Sequence, residues 1–96
     1  MDDDRFQAIH VLSVSRGFPD PGLRYLITPY RFQTRKGESH RIREIRQVHR
    51  ERKGRAWHYH YVVKTDEKLF FHLVFDTGDL TWRLVQQVEE ELFFNG

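Results

Sequence analysis

Apolar and polar positions alternate along this chain over short stretches separated by turn residues, the pattern of half-buried strands. Residues 57–65, WHYHYVVKT, show it best: Trp57, Tyr59, Tyr61 and Val63 share one face, and His58, His60 and Val62 the other. After a turn at Thr65–Lys68, the run 69–75, LFFHLVF, separates Leu69, Phe71, Leu73 and Phe75 from Phe70, His72 and Val74. Setting Val63 opposite Phe71 joins the two aromatic faces into one apolar layer. It also puts Asp76 opposite His58 and His72 opposite Val62. A slip of one residue would drop His72 among the tyrosines, so the pattern selects the first register.

The same reading gives strands over 5–15 and 24–34, joined by the Pro- and Gly-containing loop 16–23. Pro29 interrupts the second and marks an edge or a bulge. In 39–49, SHRIREIRQVH, the apolar residues Ile42, Ile45 and Val48 stand three apart. That spacing fits one side of a helix capped by Ser39, or a strand with one bulge between Ile42 and Ile45. All three are β-branched, which favours the strand. Residues 50–56 read as a basic loop around Gly54. A last strand, 80–86, carries Leu80, Trp82 and Leu84 on one face. Val85, Val88 and Leu92 then follow at helical spacing, predicting a short helix over 85–94 with Phe93 and Phe94 tucked under the sheet.

The expected organisation is a single domain of 96 residues, α+β but mainly β. An acidic disordered tail (1–4) precedes a core (5–86) of four to six antiparallel strands in a meander or barrel-like sheet, closed by the C-terminal helix. His40-Arg41-Ile42, Ile45, Trp57-His58, Tyr61, Phe75 and Leu80-Thr81-Trp82-Arg83-Leu84 together resemble a family of small uncharacterised bacterial β-domains over about residues 30–86. The resemblance implies an SH3- or Tudor-like barrel and no known activity.

Composition bounds the function. Leu, Ile, Val and Phe number 28 of 96, enough to build a core, and 14 aromatic residues let a short chain do so without cross-links. With no cysteine, disulfides and thiolate metal sites are excluded, and a cytoplasmic setting is expected. No apolar run is long enough to span a membrane, and Asp2–Asp4 is the wrong charge for a signal peptide. The net charge of +2 hides a strong asymmetry: residues 31–55 carry ten basic and three acidic groups, a local +7 against −5 elsewhere. Arg41, Arg43, Arg46, Arg50, Arg52, Lys53 and Arg55 form a basic strand and loop that would attract a polyanion, with Trp57 and Tyr59 beside them as surfaces on which bases could stack. The same arginines would also suit an acidic protein surface or a second copy of the chain. His58, His60 and His72 share the outer face of one hairpin and are candidate metal ligands, although no motif such as HExxH supports them. Neighbouring arginines are expected to hold these imidazoles neutral by repulsion. Ser39-His40 and Asp76/Asp79 make no nucleophile or acid–base pair, and no phosphate-binding glycine loop is present, so neither catalysis nor a cofactor is expected. The leading expectation is a non-catalytic nucleic-acid-binding module. A protein-interaction or self-assembly module and a histidine metal site are the alternatives.

Overall fold

A computed structural model describes residues 7–89. Six strands follow one another as β1 (Gln7–Ser15), β2 (Ile27–Gln33), β3 (Ser39–Lys53), β4 (Ala56–Thr65), β5 (Phe70–Asp76) and β6 (Thr81–Val88). Each pairs antiparallel with the next, and β6 returns to β1, closing a barrel in simple meander order. Among the described residues no helix is long and apolar enough to cross a membrane.

Alternation fills the barrel. Ile9, Phe32, Ile42, Tyr61, Val63, Phe71, Leu73, Phe75 and Trp82 form the interior, with Val11, Ile27, Ile45, Val48, Tyr59, Leu69 and Leu84 packed at its margins. Val63 pairs with Phe71, Tyr61 with Leu73 and Tyr59 with Phe75, the register that the apolar pattern selects. Tyr61 is fully buried, and its hydroxyl donates to the Ile27 carbonyl at 2.6 Å, tying β4 to β2 across the barrel. Burial holds this phenol well above its ordinary pKa, so it stays a donor. Outside the barrel wall, Val62, Phe70 and Val88 make a second, smaller apolar cluster.

Bulges explain where periodicity misleads. Residues 39–49 form part of a 15-residue strand rather than a helix. Its register shifts twice, between Ile42 and Glu44 and between Ile45 and Gln47, making Arg43 and Arg46 the inserted residues of the β3–β4 ladder. Each inserted residue turns a period of two into a spacing of three, so Ile42, Ile45 and Val48 all stay on the inner face. Pro29 likewise lies beside a shift, in the β1–β2 pairing, where the sequence places an edge or a bulge.

The same device overturns the helix from 85 to 89, and the described residues are all-β rather than α+β. Leu84 pairs with Leu73 and Gln86 with His72, so Val85 is an inserted residue in β6. The Val85–Val88 spacing of three comes from this bulge, not from a helical turn. Leu92, Phe93 and Phe94 lie outside the described residues, as does the tail 1–4. β3 also runs further than the pattern suggests: 50–53 belong to the strand, and the turn to β4 contracts to Gly54-Arg55, flanked by the pair Lys53 and Ala56. Gly54 has φ +63°, which a side chain would resist.

Closure is uneven. β2 meets β3 through only three residue pairs, ending at Arg31 and Arg41. Beyond Arg41, β3 has β4 as its only ladder partner among the described residues. Among the described residues, the β3–β4 hairpin therefore presents two side-chain faces and one edge without a further strand.

Candidate functional site

The pleat and the bulges divide the basic segment. Arg41 faces outward beside Arg31, its direct cross-strand partner, so two like charges stand opposite each other. Arg43 and Arg46 occupy the bulges. Arg46 pairs with Glu44 at 3.5 Å and lies over the Phe70 ring. Arg50 and Arg52 pair with Tyr59 and Trp57 and share their face. Their guanidinium carbons sit 4.4 Å and 5.3 Å from the Trp57 ring centre, within cation–π range. Arg52 also donates from Nε to the Gly54 carbonyl at 3.0 Å. Lys53 and Arg55 flank the tip, both exposed. Trp57 is fixed in turn by Thr77: its backbone N–H donates to Thr77 Oγ1 at 2.8 Å and its carbonyl accepts from Thr77 N–H at 3.0 Å. Trp57 thus serves as a platform for guanidiniums, while Tyr59 is half-buried against the core.

The opposite face of the hairpin carries the histidines. Direct cross-strand pairs place His49 beside His60, Glu51 beside His58, His58 beside Asp76 and His72 beside Val62. His60 is the hub. Its Nε2 lies 2.9 Å from Glu51 Oε2, its Nδ1 lies 2.8 Å from His72 Nε2, and its ring stacks on His49 with centres 4.6 Å apart at 4°. His58 Nε2 is 3.1 Å from Asp76 Oδ2. Ligand-capable atoms of Glu51, His58 and His60 all fall within 4.8 Å of one another. They line a recess of about 240 Å³ together with Lys53, Val74, Arg83 and Val85. No family model, curated protein or solved structure matches this chain.

Electrostatics follow from this packing. Burial pushes the His72 pKa down to about 4, with the charges of His60 and His49 adding to it. Burial also lowers that of His60, against the opposing pull of Glu51. Desolvation and the other imidazoles, not neighbouring arginines, therefore keep His60 and His72 neutral, which corrects the sequence-based expectation for these two. The hydrogen bond from His60 holds Glu51 below its usual range, ionised at neutral pH. An ionised carboxylate only accepts, so the neutral His60 carries its proton on Nε2 and accepts at Nδ1 from His72 Nε2–H. The tautomers of both rings are set by the network.

The register brings His58, His60 and His72 together as the alternation implies, but their roles differ. His72 bonds to His60 rather than converging with it on a common point. Glu51 escapes sequence reading because 50–56 looks like a loop, His49 because the strand that carries it seems to end there, and Val85 because its spacing from Val88 suggests a helix. Had β3 been extended to Lys53, alternation alone would have put His49 and Glu51 on the histidine face.

Proposed function

We propose that this small β-barrel module binds nucleic acid through the cations of the β3 edge and the β3–β4 hairpin. One observation carries the reading. Arg41, Arg43, Arg50, Arg52, Lys53 and Arg55 are exposed, and none is within ion-pair distance of a carboxylate among the described residues. Uncompensated cations concentrated on one hairpin suit a phosphate backbone, and forked guanidiniums do so better than ammonium groups. Stacking on Trp57 orders Arg50 and Arg52 in advance, which lowers the entropic cost of each contact. The Arg31–Arg41 pair is unfavourable on its own and is relieved by an anion between the two heads.

The contacts are to backbone phosphates, so affinity is expected to be largely indifferent to sequence. It should also fall steeply with salt: four to six phosphate contacts give a slope of log K against log salt of about −4 to −5 on duplex and about −3 to −4 on single strands. Titrating labelled duplex and single strands at two salt concentrations tests this. Arg50, Arg52 and Arg55 changed together to Ala should flatten the slope by about two to three. Absence of binding near 50 mM salt, or a slope unmoved by those changes, refutes the proposal. The β3 edge that pairs with no further strand among the described residues favours a second reading, in which an extended acidic protein segment adds to that edge. Binding of acidic peptides but not of nucleic acid is the result that would select it.

A further inference from the structure

The histidine face needs a different explanation, since it lies on the side of the hairpin away from Arg50 and Arg52. We propose that Glu51, His58 and His60 bind one divalent transition-metal ion, best fitted by zinc, with His72 and Asp76 as positioning residues that hold the two imidazoles.

The donor set argues for this class of ion. Two imidazoles and one carboxylate suit zinc and its neighbours, whereas magnesium and calcium require mostly oxygen ligands. Tetrahedral coordination at about 2.0–2.1 Å spaces ligand atoms about 3.3–3.4 Å apart. The three groups already lie within 4.8 Å of one another, and Glu51, the most exposed, has room to adjust. The surrounding charge does not make this a diffuse cation trap: Lys53 and Arg83 line the same recess as Glu51 and Asp76. Affinity must therefore come from coordination and not from an acidic field.

The supporting residues resemble those behind known metal ligands. A ligating imidazole donates its second N–H to an acceptor that fixes its orientation. His60 has such a partner in His72 Nε2 at 2.8 Å, and His58 is held by Asp76 at 3.1 Å. Before an ion binds, His60 bears its proton on Nε2, the nitrogen facing Glu51. Coordination there releases that proton and requires His60 Nδ1 to become the donor. The Nδ1 proton comes from His72 Nε2, and His72 regains one from solvent at its own Nδ1. One proton leaves and one is taken up, so both rings exchange tautomer with no net charge released. With three protein ligands, a fourth position remains open beside the recess.

The full chain should be stripped with chelator and titrated with zinc at pH 7.5, read by calorimetry and by ¹⁵N-resolved imidazole resonances. The expected result is one ion per chain, with both His60 and His72 changing tautomer. Glu51→Gln, an exposed hairpin position that should leave folding intact, is expected to weaken zinc binding at least tenfold. His60→Asn should abolish it, and His72→Gln should weaken it about 10- to 100-fold while leaving all three ligands in place. The exposed His10→Asn should bind as the parent does, and millimolar magnesium should not compete. No binding at 1 mM zinc overturns the site. So does binding that survives both Glu51→Gln and His60→Asn, or a titration in which the His60 and His72 resonances stay unmoved.

Discussion

Acidification in the absence of metal should destabilise this fold before its carboxylates begin to protonate. His72 is half-buried on β5, facing His60 from β4 and His49 from β3, with Gln86 of β6 as its other cross-strand neighbour. Its pKa falls from an ordinary 6.5 to about 4 in the folded chain. Between those values the unfolded chain binds the proton that the folded one refuses, so stability rises with pH across the interval. The contribution is whole above pH 6.5 and is lost as pH falls toward 4. Complete burial would make that displacement worth about 3 kcal/mol, and solvent screening of a half-exposed ring reduces it to about 1–2 kcal/mol. His60, also lowered, acts in the same direction. Glu51, Glu67 and Asp79 are held below their usual values, so their contribution is lost only at lower pH. Guanidinium unfolding in chelator at pH 7.5, 6.5, 5.5 and 4.5 should show a loss of about 1–2 kcal/mol, or somewhat more with His60, between the middle and the lowest pH. His72→Gln removes the titrating group while keeping a donor toward His60, and should recover about half or more of that loss. Stability that is flat or rising as pH drops, or a loss undiminished by His72→Gln, would refute the assignment of strain to these rings.

Three further outcomes follow from the barrel and the hairpin. Tyr61→Phe deletes the 2.6 Å bond to the part-buried Ile27 carbonyl and leaves that acceptor without its side-chain donor. A cost of about 1–2 kcal/mol, or a melting midpoint about 5–10 °C lower, is expected in calorimetry. Gly54→Val forces a β-branched residue to φ +63° and should cost about 1–2 kcal/mol, with exchange protection lost first at the hairpin tip. Trp57→Ala removes the platform under Arg50 and Arg52 but no charge. It should weaken nucleic-acid binding several-fold while leaving the salt slope unchanged, which separates ordering of the cations from their number.

The register of β4 against β5 was legible because burial on one face penalises a slip by one residue. His72 opposite Val62 and Asp76 opposite His58 followed directly from keeping the tyrosines with Leu73 and Phe75. Helical spacing was the unreliable signal. Ile42, Ile45 and Val48 at intervals of three proved to be a bulged strand, and the β-branched side chains pointed that way. Val85 and Val88 repeat the interval, and both are β-branched too, yet their polar surroundings make the run look like an amphipathic turn. A bulge and a helical turn both displace the next apolar residue by one position relative to strict alternation, and only pairing with a neighbouring strand separates them. β6 has that neighbour in β5, which supplies the ladder that a helix would forgo.

The same pairing decides what the basic segment means. A local charge of +7 is a property of the linear sequence, and the pleat distributes it. Extending β3 to Lys53 sends Arg50 and Arg52 to the face of Trp57, and His49, Glu51 and Lys53 to the face of His58 and His60. One charge run thereby becomes two chemically distinct surfaces, one of guanidiniums around Trp57 and one of imidazoles with a carboxylate and Lys53. They lie on opposite faces of paired β3 and β4, so side chains on one face do not occupy the other. Changes at Arg50 and Arg52 should therefore leave zinc affinity intact, and Glu51→Gln, which removes a negative charge, should leave nucleic-acid binding equal or slightly tighter. Measuring both ligands on both variants gives a two-by-two comparison. Loss of both activities in either variant would mean that the hairpin acts as one site, and the division drawn from the pleat would fail.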